Sequence, residues 1–225
     1  MLDQDKGPQK PFLACLTAEE VGALRLHAVA RRFDRGATIL HQGEVPGRVV
    51  VIDRGHAKVT CTTEDGKEVV LAFRGPGDIV GEAAALSGQP RAATVRALEP
   101  IEAMAIPVAD FEALLEAEPR IALVLLRVIT ARLKEADRQQ LEFAAFQTIE
   151  RIALRLVELA DRFGEPCDEG IRISLRLSQE ELAGWAGASR EATSKALHDL
   201  REIGLIDTQR RSLTVLSLDG LRALR

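Results

Sequence analysis

Two stretches of this chain place reactive residue types at spacings that suggest chemistry. The first runs Gly81-Glu82-Ala83-Ala84-Ala85-Leu86-Ser87-Gly88-Gln89-Pro90-Arg91-Ala92-Ala93-Thr94. Gly81 lets the backbone turn closely before Glu82 opens a short Ala-rich helical turn. The start of such a turn offers unpaired N–H groups to an anion. Arg91 returns on the next segment with a planar fork suited to phosphate oxygens. Glu82 can accept from a sugar hydroxyl. A ligand carrying both a phosphate and a ribose satisfies the set. A Glu82–Arg91 ion pair that merely closes the loop satisfies it too, and residue chemistry leaves both readings open.

The second stretch runs from Ser178 to Lys195. Ser178-Gln179-Glu180-Glu181 is a capping box ahead of Leu182 and Trp185. Gly187 breaks that helix, and Ser189 caps the next one. Arg190, Glu191 and Lys195 cluster at its start. Arg190 and Lys195 are about one turn apart and are expected to face the same way. Arg and Lys can donate to guanine O6 and N7, and Glu can accept from cytosine N4. Ser189 and Thr193 are expected to hold phosphates, and Arg210 and Arg211, in a turn between two short strands, to grip the backbone. A solvated charged helix face is the plainer alternative.

The elements around these motifs follow from patterning. Thr17-x-x-Glu20 opens a short helix. Between residues 33 and 106, β-branched runs at 38–40, 49–52, 58–60, 68–73, 92–95 and 103–106 alternate with Gly-bearing turns. That spacing predicts an antiparallel β barrel or roll, with Asp65-Gly66 as a hairpin. Residues 107–118 are expected to be helical, with Pro119 in the first turn of the next helix. That helix carries two apolar stripes. Leu126, Ile129, Leu133, Ala136, Gln140 and Phe143 form one, and Ile121, Leu125 and Val128 the other. Two stripes imply two things to bury against, the helix's own β domain and a partner copy. Burial inside a single monomeric core is the alternative, which the polar stretch from Lys134 to Gln140 disfavours. Beyond it come a helix over 149–160, an acidic turn-rich loop over 163–170, and a strand over 171–177. The two capped helices follow, then strand, basic turn and strand. Helix, Gly-bearing turn, helix and a two-stranded wing is a winged helix-turn-helix.

Composition narrows the chemistry. The chain has 225 residues, 46% of them hydrophobic, and a formal net charge of −4. Nucleic-acid binding must therefore use a local basic face. From Phe143 onward 12 basic residues meet 13 acidic ones, so non-specific DNA affinity is expected to be weak. Scarce aromatics (one Trp, no Tyr) argue against a single-strand binder. Cys15, Cys61 and Cys167 lie far apart, which suits a reducing cytoplasm and no disulfide framework. No CxxC or H-E-x-x-H motif is present, and no nucleophile–base pair can be assembled, so neither a metal site nor an enzyme is expected. No apolar run reaches membrane-span length, and residues 1–11 lack a signal-peptide core.

The stretch from Gly81 to Thr94 resembles the phosphate-binding cassette of cyclic-nucleotide-binding domains, including the nine-residue spacing from Glu82 to Arg91. The run Ile39-Leu40-His41-Gln42-Gly43-Glu44 and the Gly77-Asp78 pair resemble the same family's β-roll. The stretch from Ser178 to Lys195 resembles the helix-turn-helix of the Crp/Fnr family of bacterial transcription regulators. The resemblance implies an α+β chain: a cyclic-nucleotide-binding β-roll over 1–118, a long dimerisation helix and hinge over 119–145, and a winged helix-turn-helix over 146–225. It implies that Arg91 binds the cyclic phosphate and Glu82 the ribose 2′-hydroxyl, with Gly81, Ala83 and Ala92 lining the phosphate. It implies a cytoplasmic homodimer on double-stranded DNA, GTGA-like half-sites, and contact with RNA polymerase. Family members that bind cyclic AMP carry a Thr-Ser pair on the long helix. It maps here onto Ala136 and Asp137, of which only Asp137 can accept from an exocyclic amine. Cyclic AMP is the expected effector, with cyclic GMP or a cassette that no longer senses a nucleotide as alternatives. The cysteine cluster of Fnr-type sensors is absent from the N-terminus.

Overall fold

The computed structural model describes residues 10–175, 177–209 and 212–224. They fall into two compact units, meeting on the long helix between Glu135 and Ala136.

The N-terminal unit begins with α1 (Ala18–Leu26), opened by the Thr17 capping box. Thr17 N–H donates to Glu20 Oε2 at 2.7 Å, and Glu20 N–H donates to Thr17 Oγ1 at 3.3 Å. Glu20 also receives Arg120, and that bond, ahead of the Thr17 N–H, holds its carboxyl below the usual range. Next come β1 (Val29–Phe33), β2 (Thr38–Leu40), β3 (Arg48–Arg54), β4 (Ala57–Thr62), β5 (Glu68–Arg74), β6 (Ile79–Val80), α2 (Glu82–Ser87), β7 (Thr94–Ala97), β8 (Ile101–Pro107), α3 (Val108–Ala117) and α4 (Pro119–Ala145).

The strands form two antiparallel four-stranded sheets, ordered β1-β8-β3-β6 and β2-β7-β4-β5. Side chains alternate along β3, and both of its faces are buried. Val50 and Ile52 join Leu40, Val80, Val95 and Ile101 in one core cluster. Val49 and Val51 join a second cluster with Phe12, Leu24 and Phe111. Ile121, Val124, Leu125 and Val128 of α4 also enter this second cluster. Leu126 and Leu133 point away from it, 59% and 62% exposed. The two stripes on α4 are thus separated only in part: Leu126 and Leu133 of the first face outward, whereas its Ile129 packs against the same cluster as Ile121, Leu125 and Val128.

Strand β1 is one of the elements that patterning missed. Its sequence, Val29-Ala30-Arg31-Arg32-Phe33, exposes every residue but Phe33. It is an edge strand held through β8, from Val29↔Ala105 to Phe33↔Ile101. A strand held by backbone pairing rather than by an apolar face leaves no period-2 signal.

The C-terminal unit contains the end of α4, then α5 (Thr148–Phe163), β9 (Gly164–Cys167), β10 (Gly170–Ile173), α6 (Gln179–Ala186), α7 (Arg190–Glu202), β11 (Ile206–Gln209), β12 (Ser212–Val215) and α8 (Leu218–Arg222). The sheet order is β11-β12-β10-β9. Part of the segment expected to be an acidic loop is therefore strand β9, paired to β10 from Gly164↔Ile173 to Cys167↔Gly170. Its Pro166 reads as a breaker in sequence but is tolerated on a sheet edge. α5 buries Ile152, Leu156, Leu159 and Phe163 at helical spacing. Ser178 and Glu181 form the expected capping box. Among the described residues no helix is long and apolar enough to cross a membrane.

Candidate functional site

The first site is built where β6 ends. Gly81 caps α2 with φ +84°. A Cβ there would lie 2.5 Å from Arg91 Nη1 and 2.7 Å from a Leu40 methyl, so the guanidinium packs directly on the glycine backbone. The Arg91 main chain is fixed by two bonds to the loop before β3: Arg91 N–H to Glu44 O at 3.0 Å, and Gly43 N–H to Arg91 O at 2.8 Å.

Arg91 is 5% exposed. Its Nη2 donates to Arg48 O at 2.6 Å and its Nη1 to Gly81 O at 3.4 Å. Its Nε is buried with no acceptor among the described residues, and none of their carboxylates lies within ion-pair distance of this guanidinium. Burial pulls its pKa below the usual arginine range. Glu44 and Glu82 oppose that shift at a distance, and Arg48 adds to it. A desolvated cation faced by carbonyls, with one orphaned donor, fits an anion.

Glu82 is 6% exposed, yet its partner is Arg132 of α4 rather than Arg91. Arg132 Nη1 donates to Glu82 Oε1 at 2.7 Å and Nη2 to Ile79 O at 2.9 Å. Asp78 Oδ1 lies 3.7 Å from Arg132, while Asp78 Oδ2 accepts from Gly75 N–H at 2.9 Å. The loop-closing Glu82–Arg91 pair is not formed. Glu82 Oε2 has no hydrogen-bond partner among the described residues, and remains able to accept from a sugar hydroxyl. Ala83 and Ala92 are exposed beside it. Asp137 belongs to the other unit, exposed on α4.

Arg132 is the site residue that the sequence reading passed over, although a signal was present. Ile121, Leu125, Val128 and Arg132 share one helical stripe, and a cation at the end of a buried apolar stripe demands a buried acid.

The second site is the exposed face at the start of α7. Ser189 caps the helix, its Oγ accepting from Ala192 N–H at 3.1 Å. Arg190, Glu191 and Lys195 are exposed. Five residues of α-helix turn through about 140° beyond a full turn, so Arg190 and Lys195 do not share a face as expected. Glu191, four residues before Lys195, shares it. Its own backbone N–H and then the Ser189 hydroxyl keep the Glu191 carboxyl below its usual range, so it stands ionised as an acceptor. Thr193 is corrected: it is 0% exposed, so it packs in the core and reaches no phosphate. Arg210 and Arg211 lie outside the described residues. Gly187 sits in the turn at φ +59°, where a Cβ would meet the Phe143 ring at 2.5 Å. Arg151 ties the same turn down, donating to Ala186 O at 2.9 Å and Phe146 O at 2.7 Å.

Comparison with known proteins matches a domain model to each half of the chain. Residues 30–118 match the cyclic nucleotide-binding domain, and residues 150–224 match the Crp-like helix-turn-helix domain. The CRP-like cAMP-activated global transcriptional regulator of Mycobacterium tuberculosis is 31% identical over 183 residues, 81% of this chain and 82% of that protein. The global nitrogen regulator of a Synechocystis species is 27% identical over 216 residues, 95% of each chain. In fold, the chain is similar to the c-di-GMP-responsive global regulator CLP of Xanthomonas campestris. The TM-score is 0.78 at 22% identity, covering 89% of this chain and 100% of that one. A cyclic-nucleotide-binding domain followed by a Crp-like helix-turn-helix, with a relative of this identity along most of the chain, makes this protein a member of the Crp/Fnr family of DNA-binding transcription regulators rather than an enzyme.

Proposed function

We propose that this protein is a homodimeric, cytoplasmic transcription regulator gated by a cyclic nucleotide, with cyclic AMP as first choice. The observation that carries the proposal is Arg91, a buried guanidinium with an orphaned Nε and no carboxylate partner among the described residues. It would take the cyclic phosphate, with Gly81, Ala83 and Ala92 alongside. Glu82 Oε2 would take the ribose 2′-hydroxyl while Oε1 stays on Arg132. Binding would shift a pre-existing equilibrium towards the dimer in which the two α7 helices stand about one DNA turn, roughly 34 Å, apart. RNA polymerase would be the partner at the promoter. The cyclic-AMP-activated relative supports the choice of base. One feature suits cyclic GMP as well: the Thr-Ser pair is replaced by Ala136 and Asp137, and a carboxylate accepts from the guanine amine as it does from the adenine amine. Calorimetry of the wild-type protein with each nucleotide decides. Binding of cyclic AMP in preference to cyclic GMP is the expected result, and no heat with either nucleotide removes the gating proposal.

At the DNA, Arg190, Glu191 and Lys195 would read a palindrome with GTGA-like half-sites, and Ser189, Arg210 and Arg211 would hold the backbone. Arg190→Ala is expected to cost about 1–3 kcal/mol and to relax the preference at one base pair. Binding to a panel of single-base operator variants measures this. Equal weakening on every variant would make Arg190 a phosphate contact.

A further inference from the structure

The C-terminal unit contains a buried ionic cluster that neither site uses. Arg155 of α5 is 1% exposed. It is ion-paired to Glu142 of α4, itself 4% exposed, and donates to Glu158 at 2.9 Å. Its guanidinium carbon lies 5.2 Å from the centre of the Trp185 ring on α6. Arg138 of α4 also pairs with Glu142 and stands 3.7 Å from Glu158, as does Arg162 of α5. One guanidinium thus touches three helices: the end of α4, α5, and the first helix of the helix-turn-helix.

We propose that Arg155 is a positioning residue for DNA recognition. Clamped between Glu142 and Trp185, it fixes the angle at which α6, and with it α7, stands on the end of α4. A buried ion pair is a poor source of stability compared with an apolar pair of the same volume. What it can supply is a single geometry, because a planar fork whose two Nη groups each meet a carboxylate, and which lies over a ring, has few alternatives.

The test uses the full-length protein and a DNA duplex enriched by it from a random library, against a scrambled duplex. A wild-type chain that prefers no duplex sinks the DNA-reading role of α7, on which the proposal rests, rather than the clamp. Arg155→Met leaves the buried Glu142 with Arg138, a half-exposed cation, in place of its buried partner, and is expected to lower the melting temperature. Pairing it with Glu142→Leu is expected to restore most of that stability. The ratio of specific to non-specific affinity should nevertheless stay lowered, by about tenfold. Trp185, the chain's one tryptophan, should report the loss of its cation as a changed emission spectrum. A structural role alone would lower both affinities in proportion to the unfolded fraction. A folded double variant with the wild-type ratio overturns the proposal. Should the double variant not fold, Arg155→Lys decides, since it keeps the charge without the fork. A lowered ratio there supports the clamp, and an unchanged ratio overturns it.

Discussion

Arg91→Ala is expected to cut nucleotide affinity roughly ten- to a hundredfold or more while the protein stays folded. A hydrogen bond to a charged group contributes about 1.5–3 kcal/mol, and each 1.4 kcal/mol is tenfold in affinity. Among the described residues the Arg91 side chain donates to two carbonyls only, Gly81 O and Arg48 O, and its Nε to none. Its charge is therefore held in place without a described counter-ion, and truncation relieves a burial cost as well as removing two bonds. The melting temperature should change little, whereas calorimetric binding should fall steeply. Arg91→Lys separates charge from geometry: it keeps the cation but cannot present two parallel N–H groups. Affinity in Arg91→Ala within twofold of wild type would refute the phosphate assignment.

The chemistry of this site was legible in sequence because it rests on local spacing. Gly81, Glu82 and Arg91 lie within one short helix and its return. The capping boxes at Thr17 and Ser178 were legible for the same reason. What stayed hidden depends on contacts distant in sequence. Glu82 meets a cation fifty residues away, and the choice between Arg91 and Arg132 is made by packing of α4 on the β-roll. β1 is held by β8, some seventy residues later. Thr193 shows the opposite error. A hydroxyl on a recognition helix reads as a phosphate ligand, but three residues past Arg190 it has rotated into the core. Residue type suggests a role, and only the helical phase decides whether the side chain can fill it.

Leu126→Glu with Leu133→Glu is expected to convert a dimer into a monomer. The two leucines lie seven residues apart on α4 and are 59% and 62% exposed, while Ile121, Leu125 and Val128 of the same helix are buried in the N-terminal unit. A surface helix rarely shows water two leucines at heptad spacing beside a fully used inner face. Burying a leucine fully is worth about 1.5–3 kcal/mol, so four partly exposed leucines across a twofold interface would contribute roughly 4–8 kcal/mol. Glutamates there lose that contribution and set like charges face to face. Sedimentation should give a monomer at micromolar concentration. Operator affinity should collapse, because one α7 can read only one half-site. Nucleotide binding should survive, since Gly81, Glu82, Arg91 and Arg132 all come from one chain. A variant that remains dimeric would place the interface elsewhere. A monomer that also loses the nucleotide would mean that the partner copy completes the pocket, which Leu133, next to Arg132 on the helix, is placed to report.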